Sequence, residues 1–206
     1  MKLQISYNLP DIQQALEIAQ QTAEFADIIG VGSLLLFKEG IKAIKLFKST
    51  FPNKEIFAEA KIIEKAQDSV TMLAQAGARY ISVLAGSPHN TIKKAVETAK
   101  LFDAKIALDL LDSHSIGQSA HDAKIIGIDM LIINRFPNTP GTNLEIESEW
   151  HSARENTALP IFITGKIDKS NIHQIIDLKP QGILIGSAIT RASSPKQEAY
   201  NIKNLL

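Results

Sequence analysis

Short apolar runs alternate with helical patterns eight times along this chain, at roughly 25-residue spacing. The runs fall at residues 2–7, 26–32, 55–61, 79–86, 105–111, 129–134, 160–165 and 181–187. Each is four to eight residues long and rich in Ile, Leu and Val, the pattern of strands buried on both faces. Helical stretches follow them. Ile12, Ala15, Leu16 and Ala19 recur at helical spacing, as do Ile41, Ile44, Phe47 and Phe51. Further helices are predicted over 66–76, 115–126, 144–155 and 195–205, with Gly77 ending the first of these. Ser87 is expected to cap the helix after the fourth strand, with Pro88 in its first turn.

Repeated strand–helix units imply a parallel sheet, and eight of them predict a closed (β/α)8 barrel of the TIM type. The competing open doubly wound sheet lacks its usual G-x-G-x-x-G turn after the first strand. With 206 residues, 45% of them hydrophobic, the chain suits one barrel domain over 1–206.

Composition narrows the partners. The 22 basic and 22 acidic residues cancel, with no basic stripe, which argues against nucleic acid. No apolar run approaches a membrane span, and the first residues do not read as a signal peptide. Cysteine is absent, so no disulfide or thiolate metal site forms, and a reducing cytoplasm suits the chain.

In such barrels the chemistry sits where the strands end. The ends carry Asn8, Gly30, Glu59 with Lys61, Gly86, Asp109, Asn134, Thr164-Gly165-Lys166 and Gly186-Ser187. Glu59 and Lys61 share strand parity and are expected to point together into the mouth, alongside Asp109. Two carboxylates keep a lysine charged and aimed, and such a lysine can stabilise an enediolate and deliver a proton to it. Carboxylates there can also hold Mg²⁺, with substrate oxygens completing the shell. The bland alternative is a solvated ion-pair cluster worth little.

The last two strands carry a second signal. Gly165 with Lys166, and Gly186 with Ser187 and Arg191, fit a phosphate site built from glycine backbone and cations. Glycines that merely relieve crowding at strand ends are the alternative. A phosphate site makes the ligand a phosphorylated metabolite. The five histidines show no zinc-ligand spacing and read as structural or solvated. Trp150 reads as a packing residue.

The stretches "KLQIS", "ADIIGVG", "FAEAK", "ISVLAG", "TIKKAVE", "ALDLL" and "ILIGSAIT" give the chain a resemblance that covers nearly all of it. It resembles the 3-hexulose-6-phosphate synthase and 3-keto-L-gulonate-6-phosphate decarboxylase family, within the orotidine-monophosphate decarboxylase group of barrels. The family's D-x-K-x-x-D hallmark reads Glu59-Ala60-Lys61-Ile62-Ile63-Glu64 here. The resemblance implies Mg²⁺, an enediolate intermediate and a homodimer in which Glu64 reaches the partner's site. Asp109 favours the synthase over the decarboxylase.

The sequence also departs from the family pattern. Asn8 stands for an aspartate, Gly30 for a metal-binding glutamate, Asn134 and Asn138 for a histidine and an aspartate, and Lys166 for a glycine. Metal binding through Glu59 is therefore expected to be weak. The leading expectation is a carbon–carbon lyase joining formaldehyde to ribulose 5-phosphate. Decarboxylation of a β-keto acid phosphate, a non-catalytic sugar-phosphate-binding barrel and an isomerase of another barrel family are the alternatives.

Overall fold

The computed structural model describes residues 1–134 and 143–206, and for 143–145 the backbone alone. Asn138, which stands where the family has an aspartate, lies outside the described residues. Eight strands form one closed parallel barrel in sequence order, with β8 returning to β1. They are β1 (Lys2–Tyr7), β2 (Ile28–Val31), β3 (Glu55–Ile62), β4 (Tyr80–Leu84), β5 (Lys105–Asp109), β6 (Met130–Asn134), β7 (Ile161–Thr164) and β8 (Gly182–Ile185). The helices are α1 (Ile12–Thr22), α2 (Ser33–Glu39), α3 (Ile41–Thr50), α4 (Ala66–Gln75), α5 (His89–Lys100), α6 (Ile116–Ile126), α7 (Asn143–Asn156), α8 (Ile172–Asp177), α9 (Ser187–Thr190) and α10 (Pro195–Leu205).

Strand alternation sorts the core into two layers. Leu3, Ile5 and Tyr7 of β1 face the helices, as do Ile29 and Val31 of β2, in the large outer core. The barrel interior is a separate cluster of Ile28, Phe57, Tyr80, Ala107, Met130, Ile132, Phe162 and Leu184. Gly182 is obligatory there: a Cβ would lie 2.4 Å from the Phe162 ring, which fills that space. In the outer layer Phe47 is fully buried against Tyr7, their ring centroids 5.5 Å apart. Removing such a ring costs about 3–5 kcal/mol, so Phe47→Ala is expected to loosen α3 from β1. Burial pushes the Tyr7 phenol up, and its hydroxyl pairs with Thr22 Oγ1 at 2.7 Å.

Among the described residues, α1 and α6 start on side-chain caps. Asp11 accepts from Gln14 N at 2.8 Å to begin α1. Gly127, in the left-handed region, ends α6.

Two local expectations are corrected. The single helix expected after the second strand is two, because Gly40 adopts φ 60° between α2 and α3. Ser87 does not cap α5: its hydroxyl donates to the Ile62 carbonyl at 3.0 Å, and Pro88 precedes the helix.

Candidate active site

A cavity of about 370 Å³ opens at the C-terminal ends of the strands. Its floor is the inner apolar cluster, represented by Phe57, Ile132 and Leu184. Above that floor the inward positions turn polar. Ser6, Glu59, Lys61, Ser82, Asp109, Asn134 and Thr164 line the walls. A larger groove of about 650 Å³ runs between α7 and α8 on the outside of the barrel. It carries none of these strand-end groups, so the mouth is the candidate site.

Lys61 Nζ is paired with Asp109 Oδ2. The Asp109 side chain is 4% exposed and that of Lys61 29%, so the pair is largely shielded from water. Asn134 Nδ2 donates to the same Asp109 oxygen at 3.1 Å, and the Leu111 N–H donates to Oδ1 at 3.1 Å. Lys61 gets there by an irregular route. β3 pairs with β4 in register through Ala58 and Ile81, then resumes at Ile62 and Val83, four residues against two. Within this bulge Lys61 takes φ 48°. Glu59 and Lys61 thus face one cavity, although the strand between them is not the regular one that simple parity assumes.

Glu59 leans towards β1. Its Oε1 accepts from the Ser6 hydroxyl and from Gln4 Nε2, the latter at 3.2 Å. Burial pushes its carboxyl above the usual carboxylate range, while the Ser6 bond, the Lys61 charge and the Gln4 bond offset part of that. The carboxylate lies over Gly30: a Cβ there would stand 2.6 Å from Glu59 Oε1 and 2.7 Å from Gln4 Nε2. Glu64 is exposed beyond β3 and does not line its own chain's cavity.

The opposite wall carries the loops after β7 and β8. Gly165 with φ 120° and Lys166 with φ 37° make a tight turn after β7. Gly165, Lys166, Gly186, Ser187 and Arg191 all line the cavity. Asn8 also lines it, and its Oδ1 accepts from Leu34 N at 2.9 Å, at the start of α2. None of the five histidines lines the cavity. Trp150 is buried and packs against the Arg154 guanidinium, 5.1 Å from its ring.

Sequence reasoning missed Gln4, Ser6 and Ser82. The first two had a signal. In "LQISYN" polar and apolar residues alternate within a run buried on both faces, so the polar set must face the interior.

The donors present do not fit a Mg²⁺ ion. Among the described residues no three His, Cys, Asp or Glu side chains converge as a metal cluster. Mg²⁺ requires near-octahedral oxygen ligands. Here Glu59 Oε1 already takes two donors, and both Asp109 oxygens are occupied. Among the described residues the buried side-chain acceptor without a donor is Gln4 Oε1, a carboxamide oxygen and not a further carboxylate.

The sequence profile of the orotidine 5'-phosphate decarboxylase / HUMPS family matches residues 1–202. The chain belongs to this family. It is 28% identical to a 3-hexulose-6-phosphate synthase of Bacillus subtilis over 213 residues, covering all of this chain and 99% of the relative. The structure of a 3-hexulose-6-phosphate synthase from Salmonella typhimurium superposes with TM-score 0.92 at 28% identity, covering all of this chain and 98% of that one. Another 3-hexulose-6-phosphate synthase structure gives TM-score 0.93 at 25% identity, with full coverage of both chains. The closed barrel agrees with these relatives. No helix among the described residues is long and apolar enough to cross a membrane.

Proposed function

We propose that this protein is a carbon–carbon lyase of the 3-hexulose-6-phosphate synthase type, acting on a sugar phosphate through an enediolate. The observation that carries this is the Lys61–Asp109 pair set across one cavity from the glycine-and-cation loops of β7 and β8. Loops of that kind seat a phosphate. The other end of a five-carbon sugar then meets Lys61.

In the synthetic direction C1 of ribulose 5-phosphate loses a proton to the Glu59 carboxylate, and the electron pair moves onto the C2 oxygen as an enediolate. That carbon then adds to formaldehyde, and the new alkoxide takes up the proton from the Glu59 carboxyl. Lys61 faces the developing negative charge as a fixed ammonium, held by Asp109, which Asn134 braces in turn. Electrostatic stabilisation by one such group is worth about 10²–10³ in rate. Glu59, with a carboxyl that burial makes more ready to hold a proton, is placed for acid–base work. The same machinery on a β-keto acid phosphate expels CO2 instead and leaves the same kind of enediolate.

The chain acts as a homodimer with composite sites, and Glu64 serves the partner's cavity. The support is local. Leu34, Phe37 and Ile63 leave large apolar side chains exposed beside the mouth, at 45%, 83% and 56%. Glu64 follows Ile63 and is directed outward in its own chain.

The deciding assay measures formaldehyde consumption with ribulose 5-phosphate, and CO2 release from 3-keto-L-gulonate 6-phosphate. Wild type and Lys61→Ala are compared in both. Formaldehyde uptake that vanishes in Lys61→Ala supports the aldol reading. CO2 release alone transfers the chain to the decarboxylase reading. Turnover of neither substrate rejects the lyase.

A further inference from the structure

The family resemblance implies a divalent ion, yet the space where its ligands would stand is filled. Three facts meet at one place. Gly30 has no side chain, and a Cβ added to it would collide with Glu59 Oε1 at 2.6 Å and with Gln4 Nε2 at 2.7 Å. Glu59 is one methylene longer than the aspartate of the hallmark, which lets its carboxylate reach that space. There it meets two donors from β1, the Ser6 hydroxyl and the Gln4 carboxamide. The absent side chain at position 30 and the longer one at position 59 are therefore halves of one exchange.

Charge leads to the same place. A metal ion neutralises clustered carboxylates, and here each carboxylate has its own donors. Glu59 has Ser6 and Gln4. Asp109 has the Lys61 ammonium, the Asn134 carboxamide and the Leu111 N–H. A cation would have to displace these donors, and among the described residues this chain brings no third carboxylate of its own to the cavity. Asn8, at the end of β1, gives its side-chain oxygen to the start of α2.

We infer that Glu59, seated over Gly30, meets the substrate's hydroxyl groups directly, with no divalent cation between them. The enediolate charge then falls to Lys61. The inference rests on the reading that this cavity holds a sugar phosphate. It is tested by metal uptake and folding, without turnover, so the two readings fail separately.

The first measurement is electron paramagnetic resonance of free Mn²⁺ with stoichiometric wild-type protein, alone and with ribulose 5-phosphate. The free-ion signal is expected to persist in both samples. Loss of the signal in either sample, restored by Glu59→Gln, overturns the inference. Loss that survives Glu59→Gln places the ion away from Glu59 and leaves the inference standing.

The second measurement tests the seat itself. Gly30→Ala forces a Cβ against Glu59, so the urea midpoint is expected to fall. Adding Glu59→Asp withdraws the carboxylate by one methylene and is expected to recover part of the loss. A Gly30→Ala crystal structure in which the Glu59 carboxylate keeps its bonds to Ser6 and Gln4 would mean that it does not sit over Gly30, and the inference fails; a carboxylate swung aside by the new Cβ supports it.

Discussion

The backbone N–H of Lys61 donates to the Ser82 hydroxyl at 2.9 Å, from a residue whose φ of 48° lies in the left-handed region. That conformation costs a non-glycine residue roughly 1–2 kcal/mol. It persists because neighbours fix it: Ser82 from β4, the resumed pairing at Ile62, and Asp109 at the far end of the side chain. Strain held this way at the end of a strand aims the ammonium.

Ser82→Ala removes the acceptor and leaves a partly buried N–H without a partner, at a cost of about 1–3 kcal/mol. Lys61 then loses its aim on the reacting carbon, while the phosphate loops, on β7 and β8, are untouched. The expected result is a fall of roughly tenfold in kcat, equal to 1.4 kcal/mol, with KM for the sugar phosphate unchanged. Steady-state kinetics decides. A rise in KM at constant kcat would show that Ser82 contacts substrate and does not position Lys61.

How much of this could be read from the chain depends on whether the signal was local. The barrel was legible because each strand and helix announces itself in its own residues. Glu59, Lys61 and Asp109 were legible as charges in otherwise apolar runs. The bulge was not: the residue with the unusual φ is Lys61, and no glycine marks the place. The start of α2 was hidden because "VGSLLLF" continues the apolar character of β2 without a break. Asn8 read only as a missing carboxylate, since its bond to Leu34 N joins two segments 26 residues apart. Gly30 read as a lost ligand for a similar reason. What fills its space comes from β1 and β3.

Glu59→Gln is expected to trade activity for stability. In the folded protein burial raises the Glu59 carboxyl above its unfolded value, despite the opposing hydrogen bonds and the Lys61 charge. The folded state therefore holds this proton at pH values where the unfolded state has released it. Stability falls as pH rises from the ordinary carboxyl range, about pH 4.3, through the raised folded value, and is then level. Glutamine has no proton to release. Relative to wild type, the variant should gain stability as pH rises through that window, as read from urea midpoints at several pH values. Its activity should fall about a hundredfold. An equal stability difference at every pH would show that the folded-state carboxyl is not raised.

Inorganic phosphate is expected to inhibit competitively against the sugar phosphate, through the loops that carry Lys166 and Arg191. A hydrogen bond to a charged group contributes about 1.5–3 kcal/mol. Both cations are exposed, so the lower end applies. Lys166→Ala and Arg191→Ala should each raise KM roughly tenfold and weaken phosphate inhibition in parallel, with kcat near wild type. Inhibition by phosphate that neither substitution changes would place the anion elsewhere.

Glu64 provides the test of the composite site. It stands beyond the bulge, exposed, and does not line its own chain's cavity. Within one chain it has no route to the chemistry, and Glu64→Gln would then be silent. In a dimer that brings it over the partner's mouth, its carboxylate meets the partner's Lys61 in a charge-assisted bond shielded by the interface. Glu64→Gln should then leave the fold intact and lower activity about a hundredfold, as loss of a charged group at the reacting centre does. Lys61→Ala should be inactive by itself. When the two inactive proteins exchange subunits, each mixed dimer holds one site with both native residues and one with neither. Half of the sites in mixed dimers should therefore recover. With random exchange at equal concentrations about half of all dimers are mixed, so activity should return to roughly a quarter of the wild-type value, if each site contributes independently. A monomer by sedimentation, or no recovery after exchange has been verified by mass, would show that each site is built from one chain.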